Sequence, residues 1–133
     1  MADRSPHITI SVSPGEVIDR LTILEIKSER IADPAKLANV RVELARLAKA
    51  AKGAIPDTDE MRGLRAELRA VNEKLWVIED DIRDCERQGD FGEAFVALAR
   101  SVYRTNDIRS EIKRRINETL GSDLIDEKSY APY

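Results

Sequence analysis

Thr105, Asn106 and Arg109 interrupt the apolar side of a segment that otherwise carries Phe91, Phe95, Leu98 and Val102 upstream and Ile112, Ile116 and Leu120 downstream. In helical projection Arg109 falls near the centre of the apolar arc, Thr105 and Asn106 straddle it, and Lys113 follows one turn later. A guanidinium placed among apolar groups must be paired with an anion. Two carboxylates lean inward on other segments. Glu25 falls between Leu21 and Ile18, on the arc they form with Leu24 and Val17. Glu79 belongs to the stripe Asn72, Trp76, Glu79, Arg83. The expected constellation is Arg109, Asn106, Glu25 and Glu79, bordered by Asn72 and Trp76, with Lys113 one turn away.

Two chemistries suit such a set. One is a buried ion pair that fixes helix register. The other is a site between facing helices. There Arg109 and Lys113 supply charge, Asn106 and Asn72 hydrogen bonds, and Trp76 a stacking surface, which fits a small anion such as a nucleotide or nucleotide-sugar. Taken alone, Trp76 reads as packing.

Other chemistries have less support. Acidic metal sites on helices use paired carboxylates three residues apart, and Glu16/Asp19 and Asp81/Asp84 have that spacing. However, 25 acids in 133 residues generate about four or five such pairs by chance, and five occur. No metal or cofactor is expected. His7 is the only histidine, which removes histidine triads and multi-histidine zinc sites within one chain. Cys85 continues an apolar seam and has no base beside it, so it reads as core. Glycine-rich phosphate loops, nucleophile elbows and paired Cys-x-x-Cys motifs are absent.

The elements that must hold these residues are helical. Few glycines and prolines and abundant Ala, Leu, Glu, Arg and Lys favour helices. Ser13 can cap a first helix that starts at Pro14 and runs to about Arg30, with Glu16 closing a capping box. Asp33-Pro34 starts a second helix that ends near Ala51, and Gly53 to Asp57 reads as a loop. A third helix, about Thr58 to Arg87, carries Met61, Leu64, Leu68, Val71, Leu75, Ile78, Ile82 and Cys85 at alternating spacings of three and four, a coiled-coil-like seam. A fourth runs from about Phe91 to Leu120, with Gly121 as its stop. His7 to Val12 alternates like a short strand, which needs a partner. The tail 122–133 carries Leu124, Ile125, Tyr130 and Tyr133 and is expected to dock. The fold class expected is all-α: one domain over 1–133, an antiparallel four-helix bundle with two long helices, a short N-terminal strand within 1–12 and a docked C-terminal tail.

Charge and hydropathy bound the partners. The net charge is −3, and the cations of the last helix scatter around its circumference, so nucleic acid is not an expected partner. No apolar run reaches the ~20 residues of a membrane span, and no secretory pattern opens the chain. With one cysteine, a disulfide framework within the chain is impossible. The expectation is a cytoplasmic protein without a membrane partner.

Four segments together resemble a small bacterial and viral family known only as a domain of unknown function: Ser13-Pro-Gly-Glu-Val-Ile-Asp-Arg-Leu-Thr-Ile-Leu-Glu-Ile-Lys27, Val71-Asn-Glu-Lys-Leu-Trp-Val-Ile-Glu-Asp80, Tyr103-Arg-Thr-Asn-Asp-Ile-Arg-Ser-Glu-Ile-Lys113 and Glu127-Lys-Ser-Tyr130. The resemblance covers nearly the whole chain. It implies a setting among genes for surface-glycan glycosyltransferases and no particular reaction. It points to Glu25, Asn72, Trp76, Glu79, Asn106, Asp107 and Arg109.

The functional expectation is a non-catalytic helical interaction module that forms a homodimer or binds a protein partner. Its supports are a second apolar side on the first helix, Ile23 and Ile26, and the unpaired Ile8–Val12 stretch. The alternative is an enzyme or binder for a small anionic ligand at Arg109.

Overall fold

A computed structural model describes residues 6–133. These form four helices: α1 (Pro14–Arg30), α2 (Pro34–Ala54), α3 (Asp59–Gln88) and α4 (Glu93–Thr119). The protein is all-α. Its starts follow local chemistry. Ser13 Oγ accepts from the Glu16 N–H at 3.2 Å, Asp33 Oδ2 from Lys36 at 3.0 Å, and Thr58 Oγ1 from Met61 at 3.2 Å. Each satisfies an amide that the first turn leaves open. Gly89 ends α3 with φ 68°, a conformation that favours glycine.

Three expectations change. Glu16 does not close a capping box; its carboxylate reaches Lys113 on α4 at 2.8 Å. The second helix continues through Gly53 to Ala54, and the residue preceding Pro56 is extended. No β-strand forms among the described residues. Residues 6–12 lie exposed, because the alternating pattern meets no partner edge. The part of the expected strand segment before residue 6 lies outside the described residues.

α1 is the organising element. It touches each of the other three helices, α3 and α4 also pack on each other, and α2 meets only α1. The core lies where α1 crosses its neighbours: Ile18 and Leu21 pack with Met61, Leu64 and Leu68 of α3, Ile112 and Ile116 of α4, and Ala51 of α2. At about 1.5 Å per residue, α1 is about 26 Å long and α3 about 45 Å. The distal part of the α3–α4 pair is correspondingly less covered. Ile78 is buried, yet Leu75, Ile82 and Cys85 of the same seam are only half-buried. Phe91, expected inside, is 55% exposed and meets Phe95 edge-on.

The face of α1 that carries Ile26 is not a surface. Ile26 is 1% exposed, while Ile23, the other residue of that apolar side, is half-buried and lines a cleft. The burial of Ile26 places Asp19 and Thr22 inside as well, since they share this side of the helix.

Candidate functional site

Asp19 is the centre of the polar interior. Its side chain is 2% exposed. Arg109 grips it with two bonds, Nε to Oδ1 at 2.9 Å and Nη2 to Oδ2 at 2.5 Å. This is the planar, two-pronged pairing that guanidinium and carboxylate favour. Asn72 Nδ2 donates to Asp19 Oδ1 and to Thr22 Oγ1, both at 2.9 Å. The Thr22 hydroxyl donates in turn to the Asp19 carbonyl at 2.7 Å. Lys113 stands 3.8 Å from Asp19 Oδ2 and bonds Glu16. Among the described residues no buried side-chain nitrogen or oxygen is left without a partner.

The electrostatics follow from that geometry. Burial pushes the Asp19 carboxyl up. The hydrogen bonds from Arg109 and Asn72 and the charges of Arg109 and Lys113 outweigh it, and the carboxyl is held below its ordinary range. Arg109 is shifted the other way: the bond to Asp19 raises it further, against the cost of burial.

The expected site residues divide accordingly. Arg109, Asn72, Asn106 and Lys113 come together, but around Asp19 and not around Glu25 or Glu79. Glu25 faces α3 elsewhere and is held by Arg65 and by Arg69 at 2.9 Å. Glu79 pairs with Arg83 one turn along its own helix. Asn106 touches the guanidinium only at the long distance of 3.4 Å, through Nη1. Trp76 and Glu79 line the space beside this group.

That space is a cleft of about 480 Å³ between α1, α3 and α4. Arg109, Asn72 and Asn106 line it, Trp76 and Ile23 give apolar wall, and Lys27, Glu79, Asp80 and Arg83 stand around it. Donors outnumber what the protein itself uses. A guanidinium has five N–H groups, and the Nη1 edge of Arg109 has only the long contact to Asn106. The Lys27 ammonium and the Trp76 indole N–H enter no hydrogen bond or ion pair among the described residues. Glu79 is already engaged by Arg83, and Asp80 is exposed.

Asn106 also borders a second cavity, formed where the C-terminal tail lies against α4. There the Tyr133 hydroxyl donates to Asp107 Oδ2 at 2.6 Å and the rings of Tyr103 and Tyr133 meet edge-on at 4.9 Å; elsewhere along α4, Arg114 pairs with Glu127 of the tail at 2.6 Å. The hydrogen bond to Asp107 raises the Tyr133 hydroxyl above its usual pKa.

Neither Asp19 as a partner of Arg109 nor Lys27 is among the residues expected from the sequence. The signal for Asp19 was present. It lies about 20° from Ile26 around α1, so accepting Ile26 as core brings Asp19 with it. The 16/19 spacing that resembles a metal pair here serves cations, with Glu16 on Lys113 and Asp19 on Arg109. Burial, together with Asp90, Asp84 and Asp81, raises the Cys85 thiol, which disfavours a thiolate.

Residues 8–132 match the model of a family of unknown function, DUF6165, and the chain belongs to that family. No curated protein and no solved structure matches it.

Proposed function

We propose that this protein is a helical binding module for a small anionic ligand, of the nucleotide or nucleotide-sugar class, seated in the cleft between α1, α3 and α4. One observation carries the reading. Arg109 spends one edge of its guanidinium on the buried Asp19 and leaves the other toward a cleft that also holds Trp76 and the unpaired Lys27. Asp19 fixes the guanidinium in place, so an anion meets a donor set that is already oriented. Trp76 offers a face for a planar ring, and Glu79 and Asp80 accept from hydroxyls. The volume lies within the range of small-ligand sites. The register Gly15–Asn117, Glu16–Lys113, Asp19–Arg109 descends α4 as α1 ascends, in keeping with an antiparallel crossing that sets this cleft at a helix junction.

Trp76 is the only tryptophan, so its fluorescence reports on the cleft directly. Titration with nucleoside mono- and diphosphates, nucleotide-sugars and orthophosphate is expected to give a saturable change with at least one organic anion. Arg109→Lys, which keeps charge but loses the two-pronged geometry, weakens it. Absence of any change up to about 10 mM, weaker than the millimolar affinities ordinary for poor ligands, rejects the reading.

The interaction-module reading keeps the exposed Ile8–Val12 stretch and gains a second support. Val77 of α3, Val96 of α4 and Phe91 in the connection between them stand exposed, a surface suited to a homodimer or another protein. A strict monomer by light scattering at tens of micromolar removes the homodimer form. A cytoplasmic setting suits the single Cys85, and an accessory role in surface-glycan synthesis suits the nucleotide-sugar arm of the ligand panel.

A further inference from the structure

The outer half of α2 has a composition unlike the rest of the chain. α2 carries Lys36, Arg41, Arg46, Lys49 and Lys52 against one acid, Glu43, in a protein whose net charge is −3. Its packing side is Val40, Leu44, Leu47 and Ala51, partly or fully buried. At about 100° per residue, Arg41, Lys49, Lys52 and Arg46 fall on the opposite half, interleaved with Ala38, Ala45 and Val42. No acid lies among them. Glu43 stands at the edge of this face and is 3.9 Å from Arg20 of α1. Arg41, Lys49 and Lys52 enter no ion pair among the described residues, whereas most arginines of α3 are paired.

Exposed aliphatic groups adjoin this cationic face. Ile8 and Ile10 are 89% and 71% exposed, and Val42 is 54% exposed. Ile8 and Ile10 border the same shallow cavity as Val42, Glu43 and Arg46, along the flank of this face that Arg46 occupies. Cations and free aliphatic side chains on one side of a molecule are the two contributions that interfacial binding to lipid combines.

We propose that the outer face of α2, with Ile8 and Ile10 beside it, docks on an anionic membrane surface. Among the described residues no helix is long and apolar enough to cross a membrane, and none is required: α2 spans about 31 Å and lies along the headgroups while the isoleucines enter the acyl boundary. Nucleic acid would use the cations and leave the isoleucines idle, so the apolar contribution distinguishes the two. The inference does not depend on the ligand cleft.

The test is co-sedimentation of the full chain with vesicles of phosphatidylcholine alone and of phosphatidylcholine with about one-third phosphatidylglycerol. Binding is expected only to the anionic vesicles and falls as salt rises. Lys49→Gln with Lys52→Gln lowers the partition by roughly 25-fold, at about fivefold per cation. Ile8→Ser with Ile10→Ser lowers it by on the order of tenfold. All four positions are exposed, and circular dichroism confirms that the variants fold. No binding to anionic vesicles, or binding that ignores the isoleucines, overturns the proposal. So does tighter binding to duplex DNA than to vesicles with the isoleucines irrelevant, which assigns the face to nucleic acid.

Discussion

Asp19 on α1 and Arg109 on α4 are joined by two hydrogen bonds across 90 residues of chain, and the pair is unequal. The carboxylate is buried, while the Arg109 side chain is 29% exposed and borders the cleft. The acid is therefore an anchor and the base is the group presented outward. Asn72 and Thr22 complete the anchor from α3 and α1, so three helices meet at one carboxylate.

Removal of the outer partner strands the inner one. Arg109→Ala leaves a buried, charged carboxylate with Asn72 and a lysine 3.8 Å away. A loss of about 3 kcal/mol in urea unfolding is expected, at the lower end for broken buried pairs because Lys113 partly compensates. A loss below about 1 kcal/mol means that Asp19 takes up a proton or water at little cost, and it rejects the anchor.

The same carboxylate makes stability depend on pH. Its folded pKa lies below the unfolded value of 3.8. Its contribution is therefore fully present above that value and is lost as pH falls through the lower, folded pKa. In Asp19→Asn this contribution is absent. Urea midpoints of the two proteins, measured from neutral pH downward, are expected to differ by a constant amount above about pH 5 and to converge in strong acid. A difference that stays constant throughout assigns the acid response to other carboxylates.

The polar residues of the site were legible because amphipathic patterning makes exceptions conspicuous. Arg109, Asn72 and Asn106 each stand on or beside an apolar arc, and all three border the cleft. The partner of Arg109 was harder to read, for two physical reasons. A helical projection gives angle and discards height: Glu25 and Asp19 are about 9 Å apart along α1, and only one is level with Arg109. A projection also cannot say how many neighbours cover a helix. α1 meets three, so its buried arc widens past Leu21 and Ile18 to include Thr22, Ile26 and Asp19. Strand pairing at Ile8–Val12 failed for a related reason, since local alternation contains no information about a partner edge. The helix starts, by contrast, depend on residues within one turn, and Ser13, Asp33 and Thr58 all cap.

Glu25 separates the two assignments experimentally. It is partly exposed and shared by Arg65 and Arg69, and Arg69 is also bonded to Glu29 and Glu73. Such a surface network contributes little per pair, so Glu25→Gln is expected to cost up to about 1 kcal/mol and less at high salt. In double-mutant cycles Glu25 couples to Arg69 and not to Arg109, with an Arg109 coupling within about 0.3 kcal/mol of zero. Strong coupling to Arg109 would restore the sequence-based pairing and contradict the geometry.

The start of α1 depends on a contact with no room in it. The Gly15 N–H donates to Asn117 Oδ1 at 2.7 Å, and both residues are buried. A Cβ on residue 15 would lie 2.6 Å from the Lys113 carbonyl oxygen and 2.9 Å from Asn117 Oδ1. The first is backbone and cannot turn aside, so Gly15→Ala forces α1 away from α4 at an expected cost of about 1–3 kcal/mol. Asn117→Ala leaves the Gly15 N–H and its surroundings unsatisfied, at about 1–3 kcal/mol by a different route. Because either change opens the same contact, the double variant is expected to lose less than the sum of the two. The displacement also moves Glu16 and Asp19 relative to Lys113 and Arg109. Ligand-dependent Trp76 fluorescence therefore weakens in Gly15→Ala under conditions where the protein remains folded. Full additivity of the two changes, or a Gly15→Ala protein as stable as the parent, shows that the helices have slack here and that the glycine is not what sets their approach.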